Sequence, residues 1–377
     1  MFLHKVLAIV GTRPEAIKMG PVIRRLRESG AFRVMILATG QHRELLDEVF
    51  RVFEIEPDDD LNVMTQDQQL SDVTAKCLTG IDAILRKERP AIALAQGDTT
   101  TVMTAALACY YNRIPFGHIE AGLRTASKYS PFPEEINRRL AGVLADLHFA
   151  PTEGARDNLL KEGADPRSIH VCGNTVVDAV REIAAHPQTL CSLPPPVRAF
   201  IDSHRRMILV TAHRRESFGA PLQDICRALV DVIDAHPQIG IVFPVHPNPN
   251  VRVAVDSILR DRERILLIDP VHYVQFVQLM KEAYLIVSDS GGVQEEAPSL
   301  KKPVLVLRHT TERPEGVQAG IARLVGTNRD RIREQIDRLL RSSDEYAGMI
   351  ARDNPYGDGR SSQRIVGHIR AFLDRAK

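Results

Sequence analysis

Short runs rich in Val, Ile, Leu and Ala alternate along this chain with longer stretches whose apolar residues return at helical spacing. That alternation marks βαβ units in parallel sheets, whose strands are buried on both faces and need few polar positions. In the first half it predicts strands at Val6–Val10, Val34–Ala38, Ala91–Ala95, Phe116–Ile119 and Leu147–Ala150. Helical patterns fall at Leu45–Phe53, Leu70–Leu85, Thr101–Tyr110 and Ile136–Leu144, and Pro21 predicts a kink or restart in the first helix. Leu193-Pro194-Pro195-Pro196 then breaks the pattern as rigid surface punctuation between elements.

The alternation resumes with strands near Ile208–Thr211, Ile239–Phe243, Ile265–Ile268, Leu285–Val287 and Val304–Leu307. Helices are predicted near Leu222–Ala235, Arg252–Leu259, Val274–Lys281, Val293–Ala297 and Arg329–Leu340, with a last amphipathic one over Ser361–Arg375. The fold class is α/β: two Rossmann-like, doubly wound domains, the carboxyl ends of their sheets expected to face one cleft. No internal sequence repeat is evident.

Length and composition sharpen this picture. At 377 residues and 44% hydrophobic content the chain supports two cores. Lys and Arg total 49 against 48 Asp and Glu, which argues against a broad electrostatic footprint for nucleic acid or an anionic membrane. Five widely spaced cysteines without a CxxC indicate neither a disulfide framework nor zinc. The N-terminal apolar run is too short for a signal peptide and no later run reaches the ~20 residues of a membrane span, so a cytoplasmic protein is expected.

The polar clusters follow predicted strands. Leu285-Ile286-Val287 runs into Ser288-Asp289-Ser290-Gly291-Gly292 and then a helix, a small-residue turn where successive N–H groups can meet an anion such as a diphosphate. The same turn is equally an ordinary strand-to-helix connection. After the first strand, Gly11-Thr12-Arg13-Pro14-Glu15 reads as a capped helix start with Arg13 either solvated or turned to phosphate. Asp98, in Gln96-Gly97-Asp98-Thr99, is either a helix N-cap or a cleft acid. Glu120 and Glu134 reach the same rim from different elements, an arrangement that suits an acid–base pair, although Glu134 also fits as a helix-dipole partner. His213-Arg214-Arg215 at another strand end suits a diphosphate, and Arg313 follows one more strand. His118, His213 and His246 lack ligand-like spacing, so no metal site is expected.

Together these segments resemble the non-hydrolysing bacterial UDP-N-acetylglucosamine 2-epimerases over nearly the whole chain. The strings that carry the resemblance are GTRPEAIKM, QGDTTT, HIEAGLRT, YSPFPEEINRR, GNTVVDA, HRRESFG, PVHPNPNV, SDSGGVQEEAPSLKKPVLVLR, TERPEG and NPYGDG. The resemblance implies the glycosyltransferase-B arrangement, with residues 1–172 as the first domain, 173–360 as the UDP-binding second and 361–377 packing back on the first. It implies a homodimer that interconverts UDP-GlcNAc and UDP-ManNAc without NAD, metal or other cofactor, supplying ManNAc for surface polysaccharide. The implied route is loss of UDP to 2-acetamidoglucal and re-addition.

Carried over to this sequence, the resemblance makes Asp98, Glu120 and Glu134 the acid–base set and His213 a catalytic residue on the departing diphosphate. Arg13, Ser290, Gly291 and Gly292 would hold the diphosphate, Glu296 the ribose, Phe276 the uracil, and Lys18 and Arg313 would stand close by. A hydrolysing epimerase and a UDP-sugar transferase of the same fold are the competing readings. Some members bind a second UDP-GlcNAc as activator through glutamines and an arginine. Here Gln41 and His42 remain, but Glu44 replaces the second glutamine and Asp67 the arginine, and an anion beside a diphosphate argues against that activation.

Overall fold

A computed structural model of the protein describes residues 3–40, 49–65, 67–125, 127–185 and 193–375. Gln41, His42, Glu44, Cys191 and part of the predicted helix Leu45–Phe53 lie outside them. The chain divides into two compact units, Met1–Ala179 with Tyr356–Lys377, and Val180–Pro355.

Among the described residues the first unit holds β1 (His4–Val10), β2 (Phe32–Ala38), β3 (Asp59–Asp60), β4 (Ile92–Gln96), β5 (Phe116–Ile119), β6 (Leu147–Ala150) and β7 (Ile169–Val171). All pair in parallel, in the order β3-β2-β1-β4-β5-β6-β7. The second unit repeats this winding with β8 (Arg206–Thr211), β9 (Ile239–Pro244), β10 (Ile265–Ile268), β11 (Leu285–Ser288), β12 (Val304–Val306) and β13 (Ala322–Leu324), in the order β10-β9-β8-β11-β12-β13. Strand order therefore reverses beside β1 in one unit and beside β8 in the other, and ligands of doubly wound sheets bind outside the carboxyl ends of the strands at such a point.

Burial explains the sequence pattern. Residues Val6 to Val10 of the central strand are at most 1% exposed, as expected for a strand covered on both faces. The short strands β3, β7 and β13 fall outside the predicted set. Two of them close the first sheet and one the second, and at two or three residues each these edge strands are too short to show an apolar period.

The predicted restart at Pro21 does not occur: one helix runs from Arg13 to Glu28. Pro21 removes a single backbone donor, while Ile17, Val22, Ile23 and Leu26 of the same helix are buried, so packing outweighs the missing bond. Gly20 admits the Phe53 ring, which would lie 2.5 Å from an added Cβ. The triproline run is not only punctuation, because Pro195 and Pro196 open the helix Pro195–Asp202, where proline lacks only an N–H that would go unpaired.

The helix Ser361–Arg375 packs on Arg13–Glu28 within the first unit. Its N-terminus is capped by a residue distant in sequence. Buried Asp178 accepts from the Ser361 N–H at 3.2 Å, the Ser362 N–H at 2.8 Å and the Ser362 hydroxyl at 2.6 Å. Gly173 lies against Ser361, 2.6 Å from Oγ to an added Cβ, and the Asn174 N–H bonds the Tyr356 carbonyl at 2.6 Å. The strings GNTVVDA and NPYGDG thus meet as a structural joint.

Asp178→Ala strands three donors and is expected to lower unfolding free energy by about 1–3 kcal/mol in urea denaturation. Asp178→Asn, which keeps one acceptor oxygen, is expected to lose less.

Candidate active site

In the first unit, the loops after β1, β4 and β5 converge with the helix Glu134–Leu144. Arg13 and Lys18 lie on the helix that follows β1, both partly exposed. Glu120 follows β5 directly with φ of 64°, a left-handed conformation that costs a non-glycine residue about 1–2 kcal/mol. Such strain survives where the surroundings over-determine it. Here they do: the Glu120 carboxylate takes the Lys18 ammonium at 2.5 Å and the Gln96 amide on one oxygen.

Asp98 is bound by the Arg138 guanidinium. Arg138 lies four residues after Glu134, on the same helix face, so this pair ties the β4 loop to the helix that Glu134 begins. Arg138 and Arg139 are braced from behind by fully buried Glu135, at 3.4 and 2.8 Å. Glu134 Oε2 is buried and has no hydrogen-bond partner among the described residues, an unusual state for a carboxylate and one that marks it for an explanation. Beneath the site, fully buried His118 holds the Gly97 carbonyl through Nε2 at 2.7 Å, and burial pushes its pKa down to about 4. His118 is therefore a neutral strut for the Asp98 loop.

In the second unit the turn after β11 faces the end of β8. Asp289, which is fully buried, accepts from the His213 and Arg214 N–H groups at 2.7 and 2.8 Å. Its other oxygen lies 3.1 Å from His213 Nδ1, an ion-pair distance rather than an aligned hydrogen bond. Burial pushes the Asp289 carboxyl up, but His213 and these N–H donors outweigh it and hold it below the usual range. This contact sets Nδ1 against Asp289 and leaves Nε2 as the ring's other polar atom. His246 stacks on His213 with ring centroids 5.7 Å apart, and its Nδ1 accepts the Asn248 N–H.

Ser290 precedes the helix Gly291–Glu296. Neither Gly291 nor Gly292 has positive φ, so the turn uses no backbone conformation reserved to glycine. Gly291 lies close under a side chain: an added Cβ would come 3.0 Å from the Arg313 guanidinium carbon, which would have to give by a few tenths of an ångström. Gly292 has no such neighbour, its nearest being Glu296 Oε1 at 3.6 Å, which leaves its face of the turn bare within the unit. Arg313 is committed to carboxylates, Glu295 at 2.9 Å and Glu312 at 3.4 Å. Burial pushes the Glu312 carboxyl up, but its fork with Arg308 and the charges of Arg313 and Arg214 overcome this and hold it at about 2. Glu296 accepts the buried Tyr273 hydroxyl at 3.2 Å, and Phe276 sits half-exposed one turn along the same helix as Tyr273.

The structure thus groups Lys18, Glu120, Asp98 and the Glu134 helix in one unit, and His213, Ser290, Gly291 and Arg313 in the other. Sequence reasoning missed Asp289, Gln96, Arg138, Glu295 and Tyr273 as supports. Asp289 had a signal, an acid beside the glycine turn at a strand end. The others sit among charged or apolar neighbours with no distinguishing pattern.

Two doubly wound sheets, each with polar groups gathered at the reversal of strand order, define a two-domain Rossmann-like α/β protein. The chain belongs to the UDP-N-acetylglucosamine 2-epimerase family, whose model matches residues 24–370. It is 52% identical over 365 residues to the UDP-N-acetylglucosamine 2-epimerase of Escherichia coli O157:H7, covering 96% of this chain and 97% of that one. The UDP-GlcNAc 2-epimerase of Neisseria meningitidis, solved bound to UDP-GlcNAc, superposes with TM-score 0.87 at 43% identity, covering 97% of this chain and 100% of that one. The enzyme of Methanocaldococcus jannaschii, solved with UDP-GlcNAc and UDP, gives 0.79 at 36%, covering 97% and 99%. Among the described residues no helix is long and apolar enough to cross a membrane.

Asp289→Asn is expected to destabilise the protein by about 1–3 kcal/mol at pH 7, because it weakens a buried acceptor of two N–H groups. Since the folded pKa is depressed, the contribution of the carboxylate is present above the ordinary aspartate value and lost below it. The penalty in urea denaturation is therefore expected to shrink as pH falls below about 4.

Proposed function

We propose that the protein interconverts UDP-GlcNAc and UDP-ManNAc by the non-hydrolysing route, eliminating UDP to 2-acetamidoglucal and adding it back after proton transfer at C2. The C2 hydrogen is not acidic, having no adjacent carbonyl in the ring, so direct deprotonation is closed to simple acid–base chemistry. Departure of UDP gives C1 oxocarbenium character and makes the C2 proton removable. The elimination is redox-neutral and calls for neither nicotinamide nor metal.

The observation that carries this reading is the group of three carboxylates in the first unit, each in a different electrostatic setting. Glu120 is paired with a lysine, Asp98 with an arginine, and Glu134 Oε2 is buried and unbonded. Three acids in unlike settings suit donor and acceptor roles on the two faces of one carbon. In this reading His213, fixed by Asp289, and Arg13 act with the Ser290-Gly291-Gly292 turn to hold UDP while it is detached. Glu296 takes the ribose, Phe276 the uracil, and Lys18 and Arg313 position their neighbours. Similarity to relatives solved with UDP-GlcNAc supports the choice of nucleotide sugar. The same family resemblance supports a cytoplasmic enzyme that supplies ManNAc to surface polysaccharide.

A homodimer is part of the proposal. Ile136, Leu140 and Val143 recur at helical spacing on Glu134–Leu144 at 37%, 45% and 81% exposure, beside exposed Tyr110 and Tyr111 on the helix packed against it. Exposed apolar residues at helical spacing suit a second copy of the chain. Leu140→Glu with Val143→Glu is expected to give a monomer in sedimentation velocity.

With UDP-GlcNAc in D2O, deuterium is expected at C2 as UDP-ManNAc appears in NMR spectra. Accumulation of free ManNAc and UDP would instead indicate a hydrolase, and exchange that needs an added acceptor would indicate a transferase. Asp98→Asn, Glu120→Gln and Glu134→Gln are each expected to cut turnover by about 10²–10⁴ while sparing UDP binding by calorimetry.

A further inference from the structure

Glu15 is 3% exposed, and its three donors come from two loops. One carboxylate oxygen accepts the Gly11 N–H at 2.6 Å and the Thr12 N–H at 2.7 Å. The other accepts the Thr99 hydroxyl, from 84 residues further along the chain. A glutamate at the third helical position ordinarily does no more than cap its own helix. The bonds to Gly11 and Thr99 go beyond that. Gly11 is what lets the carboxylate in, since an added Cβ would lie 3.0 Å from Glu15 Oε2 and 2.3 Å from Thr101 Oγ1.

The two loops so joined follow β1 and β4, the strands that flank the reversal of strand order, and they carry Arg13 and Asp98. We propose that Glu15 is a positioning residue, a latch between these loops that holds Asp98 in place for proton transfer; the inference rests on the epimerase reading. Thr99 is adjacent to Asp98 and precedes the helix Thr100–Asn112, so releasing its hydroxyl loosens the backbone from which Asp98 projects.

The latch is held against its electrostatics. Burial, opposed by the three hydrogen bonds and aided by Asp98, raises the Glu15 pKa to about 7. The titratable groups facing it from other elements are Asp98 on the β4 loop and the Cys77 thiol on the helix Leu70–Glu88, and neither is a cation. Because the folded pKa is raised, the stability associated with the protonated form is full below the ordinary glutamate value and is lost as pH rises through about 7. Ionised Glu15 accepts all three donors, and protonation takes part of that capacity away. Turnover should therefore fall on the acid side of this pKa.

The test compares wild type with Thr99→Val, Thr99→Ser and Glu15→Gln, using UDP-GlcNAc as substrate. In Thr99→Val, kcat is expected to fall about tenfold or more with KM nearly unchanged, since a displacement near 1 Å costs up to about 10²-fold. Thr99→Ser restores most of it. Losing the hydroxyl bond also moves the acid limb of kcat to higher pH in Thr99→Val, and Glu15→Gln lacks that limb. Amide hydrogen exchange across Gly97 to Thr101 reads the latch without substrate, and is expected to quicken in Thr99→Val but not in Thr99→Ser. Wild type that fails to epimerise would sink the functional reading while the exchange arm still decides the latch. Unchanged exchange in Thr99→Val, or an unchanged kcat and acid limb in an active enzyme, would overturn the latch.

Discussion

Strand order reverses beside β1 and again beside β8, and the polar chemistry of the protein is confined by that constraint. A parallel sheet covered on both faces offers no room for charge along its strands. Its polar groups must be carried by the turns, and only at a reversal do the neighbouring connections run to opposite faces and leave a gap between them. Arg13 and Asp98 stand on the two turns of the first reversal, His213 and Ser290 on those of the second. The same winding in both units accounts for a chain whose halves share no visible repeat: the topology recurs, and the residues at each reversal differ because they face different chemistry.

Each charge at these turns is kept by a different device. Glu120 has a lysine and an amide, Asp98 an arginine braced by a second carboxylate, Asp289 two backbone N–H groups and a histidine. Glu15 alone in this set relies on neutral donors, and its raised pKa is the consequence. A cationic partner offsets the cost of burying a carboxylate, whereas Glu15, held by neutral donors alone, has its pKa raised to about 7.

The elements of this fold were legible where burial is uniform. Phe116–Ile119 and Leu147–Ala150 are inner strands of the first sheet, buried along their whole length. Asp59–Asp60 was invisible because two charged residues at an edge carry no period, and the joint between Asp178 and Ser361 was invisible because it couples residues far apart in sequence. At the site, residue types at strand ends drew attention to Asp98, Glu120, Glu134 and His213. What holds them was hidden, since Gln96, Arg138 and Glu295 look like any other polar residue until the fold brings them to a partner.

The glycine turn shows how such a partner alters a reading. Gly291-Gly292 suggests backbone freedom, yet both residues are helical. A guanidinium lies close on Gly291, and it is already paired with Glu295 and Glu312. If UDP is held there, the second unit offers the diphosphate first-turn N–H groups and His213, since Arg313 is already paired with carboxylates. Oriented dipoles are weaker anion partners than a free arginine fork. For a leaving group that must return to the sugar within each turnover, moderate holding has a kinetic advantage, because a diphosphate bound too tightly in the detached state would deepen that intermediate and raise the barrier to re-addition.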